Sequence, residues 1–179
     1  MNPARAEHDW SFTLRDHANI HVRRLVTEDY DAVVRLTISL TDRERYLRFF
    51  TTHPSHLDEW ARSLTELDDP EQLALGAFDG DMLVGVANYN RSNRPEIAEA
   101  SVVVAHDQHD RGVGTALLQA LAVVARGNGV RHLVADVLAE NHSMQRVVAD
   151  AGWSCSHRQD GCIICYDVDL EQQGLEHRD

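Results

Sequence analysis

The sequence predicts a single α/β (α+β) domain, and three observations support this prediction. The chain has 179 residues, of which 43% are hydrophobic and 26% are charged, a balance typical of a domain with one buried core. Apolar residues recur at helical spacing early in the chain, whereas from Gln72 onward they form strand-like runs. No repeat or linker divides this order. We therefore expect one folded unit over residues 10–170, with a frayed N-terminus at residues 1–9 and a charged tail at residues 171–179.

The first third of the chain is predicted to form a hairpin and then three helices. Alternating apolar and polar residues predict strands at 10–14 and 20–25, joined by a turn at 16–19. Apolar residues at helical spacing from Tyr30 to Leu36 predict the first helix. The residues expected to begin the three helices are Thr27, the capping-box pair Thr41 and Glu44, and Ser55 with Asp58.

The rest of the chain is predicted to alternate strands with two helices. Strands at 73–78 and 82–89 form a hairpin, because the turn dipeptide Asp79-Gly80 lies between them. A strand at 97–105 leads through a glycine-bearing loop into an amphipathic helix that ends near Gly127. The elements predicted after it are a strand at 132–138, a helix at 141–151, and a hairpin of 153–157 with 162–168 around Asp160-Gly161.

The charge of the chain excludes some classes of partner. The 17 basic residues stand against 29 acidic ones, and the net charge of −12 repels a nucleic-acid backbone and favours cationic partners. Every basic residue is an arginine, so the chain has no lysine for Schiff-base chemistry. The start lacks the apolar core of a signal peptide and no later run could span a bilayer, so we expect a cytoplasmic protein without a membrane partner. The oligomeric state stays open.

Two groups of residues have the composition of metal or redox sites, and for both the sequence favours a simpler explanation. Cys162 and Cys165 form a C-x-x-C pattern, but positions three apart in a strand point to opposite faces. With Cys155 they make an odd count, so we expect reduced cysteines buried in strands. The loop over 106–110 concentrates histidine and carboxylate, yet the sequence shows no partner on another element. We therefore expect no metal.

The most informative stretch is a strand, a glycine-bearing loop and a helix start over residues 102–118. Gly112 and Gly114 let the backbone approach a ligand closely, and the free N–H groups of the first helical turn favour an anion such as a pyrophosphate. Leu117 replaces the third glycine of a dinucleotide-binding fingerprint, and the lysine of a Walker loop is missing. On this pattern alone, a tight strand-to-helix connection without a ligand is an equally good interpretation.

In this stretch and its surroundings the sequence resembles the GNAT family of acyl-CoA-dependent N-acetyltransferases. The family signature Q/R-x-x-G-x-G/A falls on residues 109–114, with His109 in its first position, and Asn141 and Gly152-Trp153 match later family marks. The segments that are together similar to the catalytic domain of bacterial Pat-type protein lysine acetyltransferases are 46–50, 98–99, 111–115 and 137–141. The resemblance covers about residues 20–170. It implies a mostly antiparallel, twisted mixed sheet with helices on both faces, preceded here by an extra N-terminal strand.

The resemblance also implies the residues of an acetyl-CoA site. Glu99 matches the glutamate that Pat-type enzymes use as general base, and strand alternation turns its local competitor, Glu96, to the opposite face. A backbone N–H around Val103 and Val104 would stabilise the oxyanion of the tetrahedral intermediate. The histidine at position 109 would make its own contribution to cofactor binding depend on pH. The implied cofactor-binding residues are Val102, Val103, Val104, His109, Asp110, Arg111, Gly112, Val113, Gly114, Thr115 and Asn141.

The group that protonates the departing CoA thiolate is not defined by the sequence. Family members often use a tyrosine on the helix after the asparagine, and that position is Val148 here. Tyr46 and Tyr89 are alternatives, although each is better explained by packing.

We expect direct transfer of the acetyl group from acetyl-CoA to a lysine ε-amine of a protein, such as an acyl-CoA synthetase. Two alternatives stay open, namely transfer to a small-molecule amine and a catalytically silent acyl-CoA sensor.

Overall fold

The computed structural model describes residues 9–49, 56–66 and 71–172, and within these ranges the chain forms eight strands and five α-helices. The strands are β1 (Asp9–Thr13), β2 (Asn19–Arg24), β3 (Gln72–Asp79), β4 (Met82–Arg91), β5 (Ile97–Val104), β6 (His132–Leu138), β7 (Cys155–Asp160) and β8 (Ile163–Asp169). The helices are α1 (Tyr30–Ser39), α2 (Asp42–Phe49), α3 (Leu57–Thr65), α4 (Val113–Gly127) and α5 (His142–Asp150). Residues 1–8 and 173–179, most of the termini expected to be frayed, lie outside the described ranges.

The strands form one sheet in the order β1-β2-β3-β4-β5-β6-β8-β7. Each neighbouring pair is antiparallel except β5 and β6, which run parallel. The predicted opening hairpin is present as β1 and β2, and it adds the expected extra strand at the N-terminal edge. The structure therefore confirms the predicted mixed, mostly antiparallel sheet.

Helices cover both faces of this sheet, as predicted. On one face, Leu117 and Leu121 of α4 are fully buried in a cluster with sheet residues such as Leu75. On the other face, Val33 of α1 and Leu64 of α3 belong to a second buried cluster. Each fully buried aliphatic side chain stabilises the fold by roughly 1.5–3 kcal/mol, so the two clusters stabilise the packing of the helices on the sheet. Among the described residues, no helix combines the length and the apolar composition needed to cross a membrane.

The helix starts agree with the prediction at one position and differ at another. At α2, the Thr41 N–H donates to Glu44 Oε2 at 2.7 Å and the Glu44 N–H donates to Thr41 Oγ1 at 3.2 Å, which is the predicted capping box. The prediction that Thr27 caps the first helix is wrong. Residues 27–29 form a 3₁₀ turn instead, because the Asp29 carboxylate accepts the Val26 N–H, and α1 begins only at Tyr30. The predicted cap Ser55 lies outside the described residues, and α3 begins after His56.

The prediction of buried strand cysteines is also wrong. Cys162 is exposed in the turn before β8, and Cys155 and Cys165 are half-buried, because the β7–β8 hairpin forms an edge of the sheet. A hydrogen bond to Asp136 and, to a smaller extent, burial raise the pKa of the Cys165 thiol. A raised thiol pKa disfavours the reactive thiolate, so this cysteine is poorly suited to nucleophilic or redox chemistry.

Candidate active site

A cleft opens in the sheet where β5 and β6 diverge. The pairing of these two parallel strands ends at Glu99 and Val134, although β5 continues to Val104 and β6 to Leu138. Beyond the last pair lies a cavity of about 240 Å³. An extended ligand can enter such a gap and pair with the free side of a strand as a further strand would.

The structure brings nearly all of the predicted site residues to this cavity. The predicted residues that line it are Glu99, Val102, Val103, Val104, His109, Asp110, Gly112, Val113, Gly114, Thr115 and Asn141. They come from β5, the glycine-bearing loop, the first turn of α4 and the start of α5. Strand, loop and helix start are contiguous in the chain, which is why a local sequence pattern could identify them.

Arg111 is the exception, because it does not line the cavity. Its guanidinium contacts Asp16 at 2.6 Å and Asp79 at 3.1 Å. The hydrogen bond to Asp16 is the main cause that raises the pKa of Arg111, and it lowers the pKa of Asp16 in turn. The Arg111 side chain therefore anchors the glycine-bearing loop to Asp16, in the turn after β1, and to Asp79, the last residue of β3. Its part in cofactor binding stays a prediction, and it rests on the backbone N–H of Arg111.

The backbone of the glycine-bearing loop exposes the N-terminus of α4. Gly112 is the N-cap residue with φ +100°, a left-handed conformation that glycine adopts without strain, and no side chain caps the helix there. The N–H groups of the first helical turn have no partner within the helix, and the helix dipole makes this end favourable for an anion. The loop therefore has the features expected of a pyrophosphate site.

Glu99 lies at the junction of two cavities. It lines the cleft and also a second cavity of about 360 Å³ on the side of α3, where Trp60 and Leu64 form part of the wall. Glu96 precedes β5 and lines neither cavity. Within the described residues Glu99 is the carboxylate common to both cavities, so a group held in the second cavity can approach a ligand in the cleft at this side chain.

Arg48 belongs to the segment 46–50 that resembles Pat-type enzymes, but the sequence does not single it out as a site residue. It lines both cavities, donates to Ser101 Oγ at 2.7 Å, and its guanidinium lies over the ring of Trp60 at 5.6 Å. The Ser101 hydroxyl in turn donates to Asn88 Oδ1 at 2.8 Å. Burial lowers the pKa of Arg48 to about 10, while attraction to the Glu99 carboxylate opposes this shift. Arg48 thus stays a cation at neutral pH and places a positive charge beside Glu99.

Two further arginines at the cleft were missed as well. Arg15 contacts Asp150 at 2.6 Å and Arg146 contacts Asp110 at 2.7 Å, and all four residues line the cleft. Neither arginine belongs to a recognisable sequence pattern, because each reaches the cleft through the tertiary fold. Each guanidinium is paired with an aspartate of the same cleft, so the two ion pairs add no net charge to the lining.

The remaining predicted residues have clear structural positions. Asn141 lines the cleft and caps α5, with its Oδ1 accepting the Met144 N–H at 3.1 Å. Tyr89 is fully buried and its hydroxyl accepts a hydrogen bond from Asn128, whereas Tyr46 is partly exposed. In the described part of the chain no tyrosine lines either cavity. The packing interpretation of Tyr89 therefore agrees with the structure.

The divergent strands, the glycine-bearing loop and the carboxylate between two cavities are features that suit an acyl-CoA-dependent N-acetyltransferase. The sequence model of the acetyltransferase (GNAT) family matches residues 37–153, more than half of the chain, and the chain belongs to this family. Acetyl-CoA is the acetyl donor that this family uses.

Individual relatives agree with this assignment. The chain is 26% identical over 152 residues to an acetyltransferase of Pseudomonas aeruginosa, with 80% of each chain covered. Its fold is similar to the GNAT domain of S. lividans PAT, with a TM-score of 0.82 and 26% identity over 94% of this chain and 99% of that chain. A cAMP-binding acyltransferase from Mycobacterium smegmatis is similar in fold, with a TM-score of 0.62 and 21% identity over 90% of this chain and 47% of that chain.

Proposed function

We propose that this acetyltransferase transfers the acetyl group directly to the ε-amine of a protein lysine, with Glu99 as general base. The observation that carries the proposal is the position of Glu99 between the cleft and the second cavity. The Glu99 side chain is exposed, so a long side chain of another protein can reach it from solvent. The net charge of −12 favours the approach of a cationic ammonium group and disfavours a nucleic-acid partner.

The cofactor would lie along β5 with its phosphates on the glycine-bearing loop. In this arrangement the pantetheine arm pairs with the backbone of residues 102–104 and reaches Asn141, while the N–H groups of residues 109–115 bind the pyrophosphate. Arg146 could exchange its contact with Asp110 for a cofactor phosphate at little cost, because an exposed ion pair contributes only about 0–1 kcal/mol. Arg15 could exchange its contact with Asp150 in the same way.

The proposed reaction needs a neutral amine. A lysine ammonium has a pKa of about 10.4, so Glu99 first accepts a proton from it. The amine nitrogen then attacks the thioester carbonyl carbon, and a backbone N–H near Val103 and Val104 stabilises the negative oxygen. Collapse of the tetrahedral intermediate breaks the carbon–sulfur bond, releases CoA as a thiolate, and frees the second proton of the amine nitrogen, which passes to the thiolate or to water. A free thiol has a pKa of about 8.5, so this thiolate can leave unprotonated or take a proton from water.

A small-molecule amine is the second candidate acceptor, and one observation favours it. The second cavity is lined by the Arg48 cation, whose Nε has no hydrogen-bond partner among the described residues, and by the side-chain amides of Asn88 and Asn90. A small acceptor that carries both an amine and a carboxylate would place the carboxylate on Arg48 and the amine on Glu99.

Mass spectrometry of reaction products separates these candidates. The purified protein is incubated with acetyl-CoA and either lysine-containing proteins and peptides or a panel of small amines, among them amino acids. We expect acetylated lysine ε-amines in the first set. Acetylation confined to amino acids would support the second candidate and contradict the proposal. Acetyl-CoA binding without transfer to any member of either set would instead favour a sensor.

A further inference from the structure

Two histidines and a carboxylate from separate parts of the chain meet beside the cleft. Glu44 lies on α2, His106 on the 3₁₀ turn after β5, and His109 directly after that turn. Potential ligand atoms of the three residues lie within 4.8 Å of one another. Glu44 Oε1 is 2.8 Å from His106 Nδ1 and 3.4 Å from His109 Nε2. The sequence shows the two histidines but not their third partner, because Glu44 is far from them in the chain.

These distances suit tetrahedral coordination of a metal ion. Zinc binds imidazole nitrogen and carboxylate oxygen at about 2.0–2.2 Å, which places the ligand atoms of a tetrahedral site roughly 3.4 Å apart. The separation of Glu44 Oε1 from His109 Nε2, 3.4 Å, equals this value, whereas its separation from His106 Nδ1, 2.8 Å, is a hydrogen-bond distance that would lengthen on metal binding. Only small side-chain movements are therefore needed to form a site with three protein ligands.

Glu44 is held in the orientation that a ligand needs. The capping box uses Oε2, which accepts hydrogen bonds from the Thr41 N–H at 2.7 Å and the Thr41 hydroxyl at 2.9 Å. Oε1 is left facing the two histidines. The Glu44 side chain is only 12% exposed. Burial raises its pKa, but the hydrogen bonds from Thr41 and His106 and the attraction to His109 outweigh this, so the pKa lies below its ordinary value. The carboxylate is therefore ionised and fixed, as second-shell contacts fix ligands in metal sites.

Both histidines can be reached from solvent, and His109 makes one hydrogen bond that metal binding would replace. His106 is 68% exposed and His109 is 34% exposed, so an ion can reach them from solvent. His109 Nε2 also lies 3.1 Å from the Val104 carbonyl oxygen, to which it donates when its proton is on Nε2. Coordination through Nε2 requires the tautomer with the proton on Nδ1, so metal binding exchanges this hydrogen bond for a metal–nitrogen bond.

We propose that Glu44, His106 and His109 form a binding site for a divalent transition-metal ion of the Zn²⁺ class. Two imidazoles and one carboxylate are the ligand set that suits such ions, whereas Mg²⁺ and Ca²⁺ prefer oxygen ligands alone. The ion would join α2 to the segment between β5 and the glycine-bearing loop. Glu44 and His109 line the cleft, so the ion would lie at its wall with a fourth position open to water or to a ligand in the cleft. This inference does not depend on which amine the enzyme acetylates.

The test is direct metal binding by the full chain without an affinity tag. Zn²⁺ binding is measured by equilibrium dialysis with elemental analysis, and Co²⁺ is added as a visible-absorption probe of tetrahedral geometry. The variants are Glu44→Gln and His106→Asn. Glutamine is compatible with a capping box, so Glu44→Gln removes the anionic ligand while the start of α2 is kept. His157→Asn, on exposed β7 away from the cluster, is the matched control.

We expect one Zn²⁺ per chain, a tetrahedral Co²⁺ spectrum, and a loss of roughly tenfold or more in affinity in each cluster variant. The His157→Asn control should bind as the wild type does, and Mg²⁺ should not compete. The chain has 11 histidines, so diffuse binding at several of them would appear as equal affinity in all variants and would overturn the proposal. Absence of stoichiometric binding by the wild type would overturn it as well. Circular dichroism of each variant separates loss of the site from loss of the fold.

Discussion

Asp29 shows how a single buried charge can organise the backbone around it. Its carboxylate accepts two hydrogen bonds from Arg23, at 2.7 and 2.9 Å, and one from the Val26 N–H at 2.9 Å. Burial raises the pKa of Asp29, but these contacts outweigh burial and bring the pKa below its ordinary value. Arg23 also lies 4.0 Å from the centre of the Phe78 ring. The pair fixes the turn that leads from β2 into α1.

The Asp29→Asn substitution is expected to lower the free energy of unfolding by about 2 kcal/mol at neutral pH, because it leaves Arg23 without its charged partner. The folded-state pKa of Asp29 is below its unfolded value, so the stabilisation is present above the unfolded pKa and is lost as the pH falls through the folded pKa. The difference between the two proteins should therefore shrink below about pH 4. Urea unfolding at several pH values measures it. Asp81→Asn, at an exposed turn, is the control, and equal losses in both variants would contradict this account.

At the scale of elements, α4 combines two tasks. Its buried face packs against the sheet, and its N-terminus forms part of the cleft. Glycines occupy both of its ends, but in different conformations. Gly112 precedes the helix at φ +100°, whereas Gly127 is its last residue and has no positive φ. A Cβ on Gly112 would meet only Arg15 Cγ at 3.9 Å, and a Cβ on Gly127 would meet nothing within 4 Å.

Gly112→Ala and Gly127→Ala are therefore a matched pair in which neither added Cβ is crowded, and they differ in backbone strain and in that only Gly112 lines the cleft. We expect Gly112→Ala to lower the free energy of unfolding by about 1–2 kcal/mol and to weaken acetyl-CoA binding, because the loop must leave its left-handed conformation or hold it under strain. Gly127→Ala should be neutral or slightly stabilising, since alanine favours the helix. Thermal unfolding and isothermal titration with acetyl-CoA measure both effects. If the two variants behave alike, the conformation of Gly112 does not support the cofactor loop.

At the scale of the whole molecule, an acidic protein binds an anionic cofactor. The net charge of −12 opposes the approach of acetyl-CoA, and five carboxylates line the cleft beside its three arginines, so the N-terminus of α4 is the feature of the cleft that favours the cofactor phosphates. The same acidity favours a cationic acceptor. The N-terminus of α4 would thus bind the anionic cofactor and the acidic surface would attract the cationic acceptor. Glu99 lies between the two cavities in which these substrates would be held.

The order of the elements and the cofactor loop could be predicted from the sequence because their signals are local. Strand alternation, the Thr41–Glu44 capping box and the glycines of the loop all act over a few residues. The same locality explains two errors. Thr27 has the composition of a helix cap, but the pairing of Arg23 with Asp29 decides the conformation there. Cys162 lies in an apolar run, but the sheet order places that run near an edge.

The rest of the candidate site could not be predicted because its contacts join distant parts of the chain. Arg48 reaches Ser101 across 53 positions, and Glu44 reaches His106 across 62. Arg15 reaches Asp150 across 135 positions. Glu44 belongs to a capping box and Arg48 to the segment 46–50 that resembles a family, but only the tertiary fold brings these side chains to their distant partners. Arg111 shows the converse, because the family signature includes it while the fold directs its side chain to Asp16 and Asp79.

In the proposed reaction, Glu99 removes the proton from an amine whose acetyl donor is already bound in the cleft. The most direct test compares kcat/KM for acetyl transfer, and the Kd for acetyl-CoA, between the wild type, Glu99→Gln and the neighbouring control Glu96→Gln. We predict that Glu99→Gln lowers kcat/KM by roughly 100-fold or more with an unchanged Kd, whereas Glu96→Gln leaves both values unchanged. Retention of activity in Glu99→Gln, or a loss explained entirely by weaker acetyl-CoA binding, would contradict the account.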